Sequence, residues 1–404
     1  MNLRAAGLVT SIAIVAAACG ASDSDGDQAS TGSGSDGQVV PVEQVAPSPA
    51  QVEISALDDP TADAFPRPLV DPDAVRSGGP PPDGIPAIDD PTFVRASTVT
   101  FLEDDEPVLA IEVDGEARAY PIQIMTWHEI VNDTIAGRPV TVSYCPLCNS
   151  AIAYDRRLGD RVLDFGTSGL LYQSALVMYD RQTESLWSHF TGEAVIGTLT
   201  GEQLDLIPMS TVSWSDWLEA NPDGLVLSRD TGHDRNYGQN PYPGYDDVDT
   251  PPFAFEGETD GRLAAKERVV GIRQGGDAVA IRSEELFDRR VVDVDVGGTP
   301  LLVWLERGTA SALDEFSVEG GRDVGATGVF EATVDGRQLT FEPGRRAGGS
   351  GRGFRDAETG STWDVLGNAT SGPLAGTKLA PVEHVDTFWF AWAAFLPETR
   401  IVDL

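Results

Sequence analysis

The sequence predicts an α+β protein, predominantly antiparallel β, with two tandem related domains after a disordered N-terminal tether. Short segments rich in Val, Ile and Tyr are broken every few residues by Gly turns, as expected of strands joined by tight connections. Helical periodicity is confined to a few brief stretches. The chain also repeats itself. Residues 107–120 align without gaps on 268–281, an offset of 161 positions from Val108 to Val269, and the same offset pairs 137–140 with 298–301. The match resumes downstream, with 180–187 against 356–363, Trp214 against Trp389 and Trp217 against Trp392.

Residues 1–19 read as a lipoprotein signal peptide. A short basic start ends at Arg4, residues 8–15 form an apolar run too brief to span a bilayer, and Ala16, Ala17 and Ala18 put small residues before Cys19. Cleavage ahead of Cys19 would leave a cysteine that carries lipid, so the chain is expected to be extracytoplasmic and anchored to the membrane. Residues 20–90 are expected to form an acidic flexible tether. They begin rich in Ser, Gly and Asp, and no Lys or Arg occurs between Arg4 and Arg67. Such a segment buries too little apolar surface to offset its ordering entropy.

The first repeat domain, 91–228, is expected to place strands at 108–113, 117–120, 140–144, 151–154, 162–165 and 176–179, with helices at 124–131 and 213–220. A Tyr-rich stretch, 229–252, should lie along this domain as an ordered arm, its rings supplying contact area. The second repeat domain, 253–404, should follow the same order. Its last helix, 387–395, is apolar nearly all round and is expected to be buried.

Lys and Arg total 28 against 64 Asp and Glu, a formal charge of −36. A surface of that sign repels a phosphate backbone, which argues against nucleic acid as a partner and fits a soluble exported protein. No protein partner can be named from these residues.

Chemistry concentrates in Cys145-Pro146-Leu147-Cys148, which follows Trp127-His128-Glu129. These are the only cysteines left after removal of the signal and lipidation of Cys19. A disulfide across so short a loop restrains little unfolded-chain entropy, so a structural staple explains the pair poorly. Two thiolates joined by the His128 imidazole would suit copper or zinc, with His189 as a further ligand. Against this, His128 could simply anchor its helix and His189 could lie at the surface. Thiol-disulfide exchange is the second reading, with Cys145 attacking, Cys148 resolving and His128 lowering the thiol pKa. The cysteines follow a strand rather than open a long helix, so the thioredoxin arrangement is not supported. A noncatalytic surface binding or scaffold module is the third.

Glu129, Ser168 and Tyr172 are accessory candidates. Ser168 and Tyr172 belong to 166–174, which could present backbone donors to a ligand or could simply be a turn. No His-Glu-x-x-His spacing and no Gly-x-Gly-x-x-Gly after a strand is present. The second copy has no cysteine. Its positions equivalent to Cys145, Cys148 and His128 hold Glu306, Thr309 and Arg289.

Taken together, residues 127–133, 144–148, 165–169 and 180–187 closely resemble the DUF3179 family of exported bacterial proteins, over roughly residues 93–404. The resemblance implies no particular activity. It implies that His128, Cys145 and Cys148 occupy the family's characteristic polar positions, and that any site occurs once per chain.

Overall fold

Asp114 and Gly115 both take positive φ, and that two-residue turn folds Pro107–Val113 back on Glu116–Pro121 with the twist that strands prefer. Gly275 and Gly276 do the same between Arg268–Gln274 and Asp277–Arg282. The two hairpins share one register. Val108 faces Pro121 in the first, and Val269 faces Arg282 in the second, 161 positions on in each strand.

The computed structural model describes residues 37–344 and 353–404; the expected signal and Cys19 lie outside them. The fold is mixed α+β and dominated by antiparallel sheets, in two clusters at roughly 39–227 and 268–402. In each cluster the hairpin is flanked by a later antiparallel strand, Met209–Ser213 or His384–Phe388. A terminal strand adds in parallel on the other side, Leu225–Leu227 or Arg400–Val402. Helix α1 (Ile122–His128) leads into the pair Ile130–Ile135 and Arg138–Cys145, and α3 (Ser283–Arg289) leads into Val291–Val296 and Thr299–Glu306. Ile130 faces Ser143 where Val291 faces Trp304, again 161 positions apart.

A third sheet in each cluster is fixed by one buried turn. Asp180 accepts hydrogen bonds from Thr183 N (2.6 Å) and Trp187 Nε1 (2.9 Å), and Thr183 shares a hydroxyl contact with Ser185. Asp356, Thr359, Ser361 and Trp363 repeat the arrangement, with corresponding bonds of 2.6 and 3.0 Å. The Asp-x-x-Thr-x-Ser-x-Trp spacing is thus explained by a carboxylate that satisfies buried donors.

The described residues belong to one compact unit. The clusters pack reciprocally: His384–Phe388 lies on Ser150–Asp155, and Met209–Ser213 lies on the equivalent Ala326–Glu331. This is the pattern of a two-fold interface, built here within one chain. Helix α2 (Trp214–Ala220) is N-capped by Ser213, and its Trp214 and Trp217 join a core with Trp304, Phe330 and Trp363 of the second cluster. Helix α4 (Trp389–Phe395) carries Trp392 and Phe395 onto Phe190 of the first.

Three local expectations changed. The helix expected over 124–131 ends at His128, because Glu129 turns left-handed at φ 58° and the β-branched Ile130, Val131, Thr134 and Ile135 continue as a strand. Residues 166–174 are mostly strand, within Phe165–Tyr172, with an irregularity between Thr167 and Leu170 and the reversal at Gln173 and Ser174. Residues 37–90 run along the sheets. Val39 pairs with Val94, Arg76 with Leu171, and Ala56 is buried beside Leu186 and Ile196.

A Cβ at Gly271 would stand 2.3 Å from the ring of buried Trp392. Gly271→Ala is expected to destabilise the fold by about 1–3 kcal/mol, read as a lower urea midpoint.

Candidate functional site

Arg138–Cys145 and Ser150–Asp155 pair antiparallel, with Cys145 facing Ser150, so Cys145 ends the first strand and Cys148 sits in the connecting turn. Asn149 closes that turn at positive φ, donating its N–H to Pro146 O at 3.2 Å. Both cysteines are free, and they are 2% and 0% exposed. The second cluster seals them, since Phe388 N and Thr387 Oγ1 donate to Cys148 O at 3.1 and 2.8 Å.

His189 enters this turn through serine hydroxyls. Ser143 Oγ donates to Ile152 O (3.0 Å), so its oxygen accepts from His189 Nδ1–H at 2.8 Å. In the neutral ring the other nitrogen, Nε2, is bare and accepts from Ser150 Oγ at 2.8 Å. Ser150 in turn accepts from the Cys148 thiol at 2.9 Å. Every bond in the chain is satisfied with His189 neutral. Burial lowers the His189 pKa, consistent with the neutral ring.

Cys145 has a different neighbour. Burial first, and then the Cys148 sulfur, push its thiol pKa well up. Glu129, fully enclosed in its left-handed cap position, is likewise raised well above the carboxylate range by burial and by Cys145. The second cluster shows what these positions do structurally. Arg290 replaces Glu129 with the same left-handed backbone, Glu306 replaces Cys145, and Arg290 Nη2 meets Glu306 Oε2 at 3.0 Å. An ion pair in one copy thus stands where the other holds an acid and a thiol that burial biases toward their neutral forms.

His128 does not join the cysteines. Its Nδ1 lies 2.7 Å from Pro86 O and its Nε2 lies 2.6 Å from the Tyr237 hydroxyl, which also contacts Thr231 at 2.6 Å. Burial lowers its pKa to about 4, helped by His233, whose ring is 5.4 Å away, and by Arg235. The expected copper or zinc site at Cys145, Cys148, His128 and His189 is therefore corrected. Among the described residues no group of three or more His, Cys, Asp or Glu could hold a metal ion. Both ring nitrogens of each histidine are already engaged, and His128 faces the arm rather than the sulfurs. Metal-binding, a metal cofactor and a metal partner fall with that site. Nor do Cys145 and Cys148 form a disulfide.

Ser168 bonds within its own hairpin, donating to Val177 O and accepting from Leu170 N at 3.0 Å. Tyr172 packs edge-on against Phe395 of α4. The Tyr-rich arm lies between the clusters: Tyr245 OH donates to Leu147 O (3.0 Å), while Asn240 N and Gly244 N donate to Phe316 O and Asp314 O at 2.8 and 2.6 Å. Burial raises the pKa of the Tyr242 hydroxyl, with the neighbouring acidic groups Glu129 and Cys145 adding to the shift.

Sequence reasoning missed Ser143, Ser150 and the electrostatic coupling of Glu129 to Cys145. The repeat offset carried a signal for that coupling: Glu129 and Cys145 map onto Arg290 and Glu306, a complementary pair.

The family model described as a protein of unknown function, DUF3179, matches residues 82–399. The chain belongs to the DUF3179 family. No curated protein matches it. No solved structure does so either. In this DUF3179 chain the matched span takes in the Cys-Pro-Leu-Cys turn, the His189 relay and both sheet clusters.

A neutral, buried His128 stabilises the fold above its ordinary pKa of 6.5, and that stability is lost as pH falls toward about 4, because the unfolded chain binds the proton first. The full effect is on the order of 3 kcal/mol. The urea midpoint of the parent protein should drop between pH 7 and 4.5 by more than that of His128→Asn. The comparison cancels the titrations common to both.

Proposed function

We propose that this protein is a noncatalytic binding or scaffold module at the bacterial cell surface, exported and held to the membrane by lipid on Cys19. On this reading it consists of two fused copies of one domain, 91–228 and 253–404, joined by the arm 229–252. The enclosure of the Cys-Pro-Leu-Cys turn carries the proposal. Both thiols are buried, the Cys148 sulfur lies 2.9 Å from the Ser150 hydroxyl, and burial raises the Cys145 thiol pKa well above its ordinary value. A thiol in that condition is a core group rather than a nucleophile, because the thiolate is the reactive species. The Arg290–Glu306 pair at equivalent positions supports the same view, since there the turn serves architecture. The signal-like start of the sequence supports export and anchoring.

Thiol labelling tests the module reading. Folded, reduced protein should leave Cys145 and Cys148 unlabelled by an aromatic disulfide reagent over an hour, and both should react at once in denaturant. Rapid labelling of the native state, or catalytic reduction of a disulfide substrate, would overturn it. Cys19→Ser should move the protein from the membrane fraction to the soluble one; retention in the membrane would refute the lipid anchor.

A further inference from the structure

On the seam between the two copies lies a cavity of about 50 Å³, measured as the space open to the centre of a water molecule. Equivalent positions from both copies line it, and they have diverged in opposite senses. The first copy contributes Pro107, Ile122, Ala151 and Met209; the matching positions of the second hold Arg268, Ser283, Thr327 and His384. Thr211 is likewise matched by Asp386. At these positions the first copy is apolar and the second polar or charged, while Tyr144, Asn149, Ser210 and Thr211 add polar groups on the first-copy side.

The second-copy side has unfilled hydrogen-bonding capacity. Thr309 is 1% exposed, yet its Oγ1 has no partner, and the buried Arg268 Nε has none either. Arg268 is held in place by Nη2, which donates to Asp246 and Ser311 at 2.9 and 2.7 Å. Asp386 accepts from the Thr327 hydroxyl at 2.7 Å, and no basic group lies within ion-pair distance of it among the described residues. Arg268 pairs with Phe388 and Val270 with Asp386 in one register, so Arg268 and Asp386 project from the same sheet face. That diagonal separates their Cα atoms by about 7–8 Å.

We infer that the cavity binds a small zwitterion, an α-amino acid between glycine and valine in size. Its carboxylate accepts from Arg268 Nε and Thr309 Oγ1, its ammonium donates to Asp386, and its side chain faces Ile122 and Met209. The volume suits it, being room for about three to five waters or about five to eight heavy atoms. Arg268, His384 and Asp386 are only partly buried, as are Asn149, Ser210 and Thr211 of the first copy, so both copies reach the mouth of the cavity. This inference rests on the module reading and supplies its ligand.

Isothermal titration of the folded protein with glycine, L-alanine and L-valine tests it, with acetate, methylammonium and L-tryptophan as controls. Saturable one-to-one binding of the small amino acids is expected. Asp386→Asn and Thr309→Val, which keep side-chain shape, should each weaken it about tenfold or more at unchanged melting temperature. No saturable heat up to about 10 mM amino acid would overturn the inference, leaving a water-filled cavity. Acetate binding as tightly as alanine would overturn it in favour of a plain anion site. An intact parent protein that binds no amino acid yet keeps its thiols protected refutes this ligand while leaving the module reading standing.

Discussion

The reciprocal packing of each copy's late strand on its counterpart's central strand is the constraint on which the other features depend. His384–Phe388 covers Ser150–Asp155 and Met209–Ser213 covers Ala326–Glu331. Because the two contacts are equivalent, helices α2 and α4 each complete a core drawn from both clusters. Neither copy buries its own tryptophans alone. Enclosure of the cysteine turn follows directly, since Thr387 and Phe388 belong to the covering strand and bond to Cys148 O.

Within that frame, burial sets the chemistry of the first copy. Taking the Glu129 carboxyl, the Cys145 thiol and the His128 and His189 imidazoles out of water disfavours their charged forms, and both imidazoles find hydroxyl partners. The second copy solves the same burial with opposite charges at Arg290 and Glu306. Removing one member of such a pair leaves an uncompensated charge, whereas the neutral pair of the first copy carries no such liability. The two copies therefore tolerate change differently at one and the same place.

Much of the fold was legible in the sequence because strand periodicity and Gly turns are local. The repeat made it more so: the offset of 161 positions reappears in the strand registers. The end of α1 was misjudged because its apolar spacing runs on through Ile130 and Val131, and only the left-handed Glu129 breaks it. The site was less legible. His128 and the cysteines are close in sequence, yet Pro86 and Tyr237, both distant along the chain, claim the imidazole. His189, the doubtful candidate, is the histidine that reaches the turn. The amphipathic seam could not be read at all without knowing which faces of the copies meet.

The last helix bears on how the molecule is made. Synthesis runs from the amino end, so the first copy is complete in sequence long before Trp389–Phe395 exists. Until that segment and the strand before it arrive, Phe190 lacks Trp392 and Phe395, and Cys148 O lacks the Thr387 and Phe388 donors. Enclosure of the cysteine turn is therefore among the last contacts that the growing chain can make.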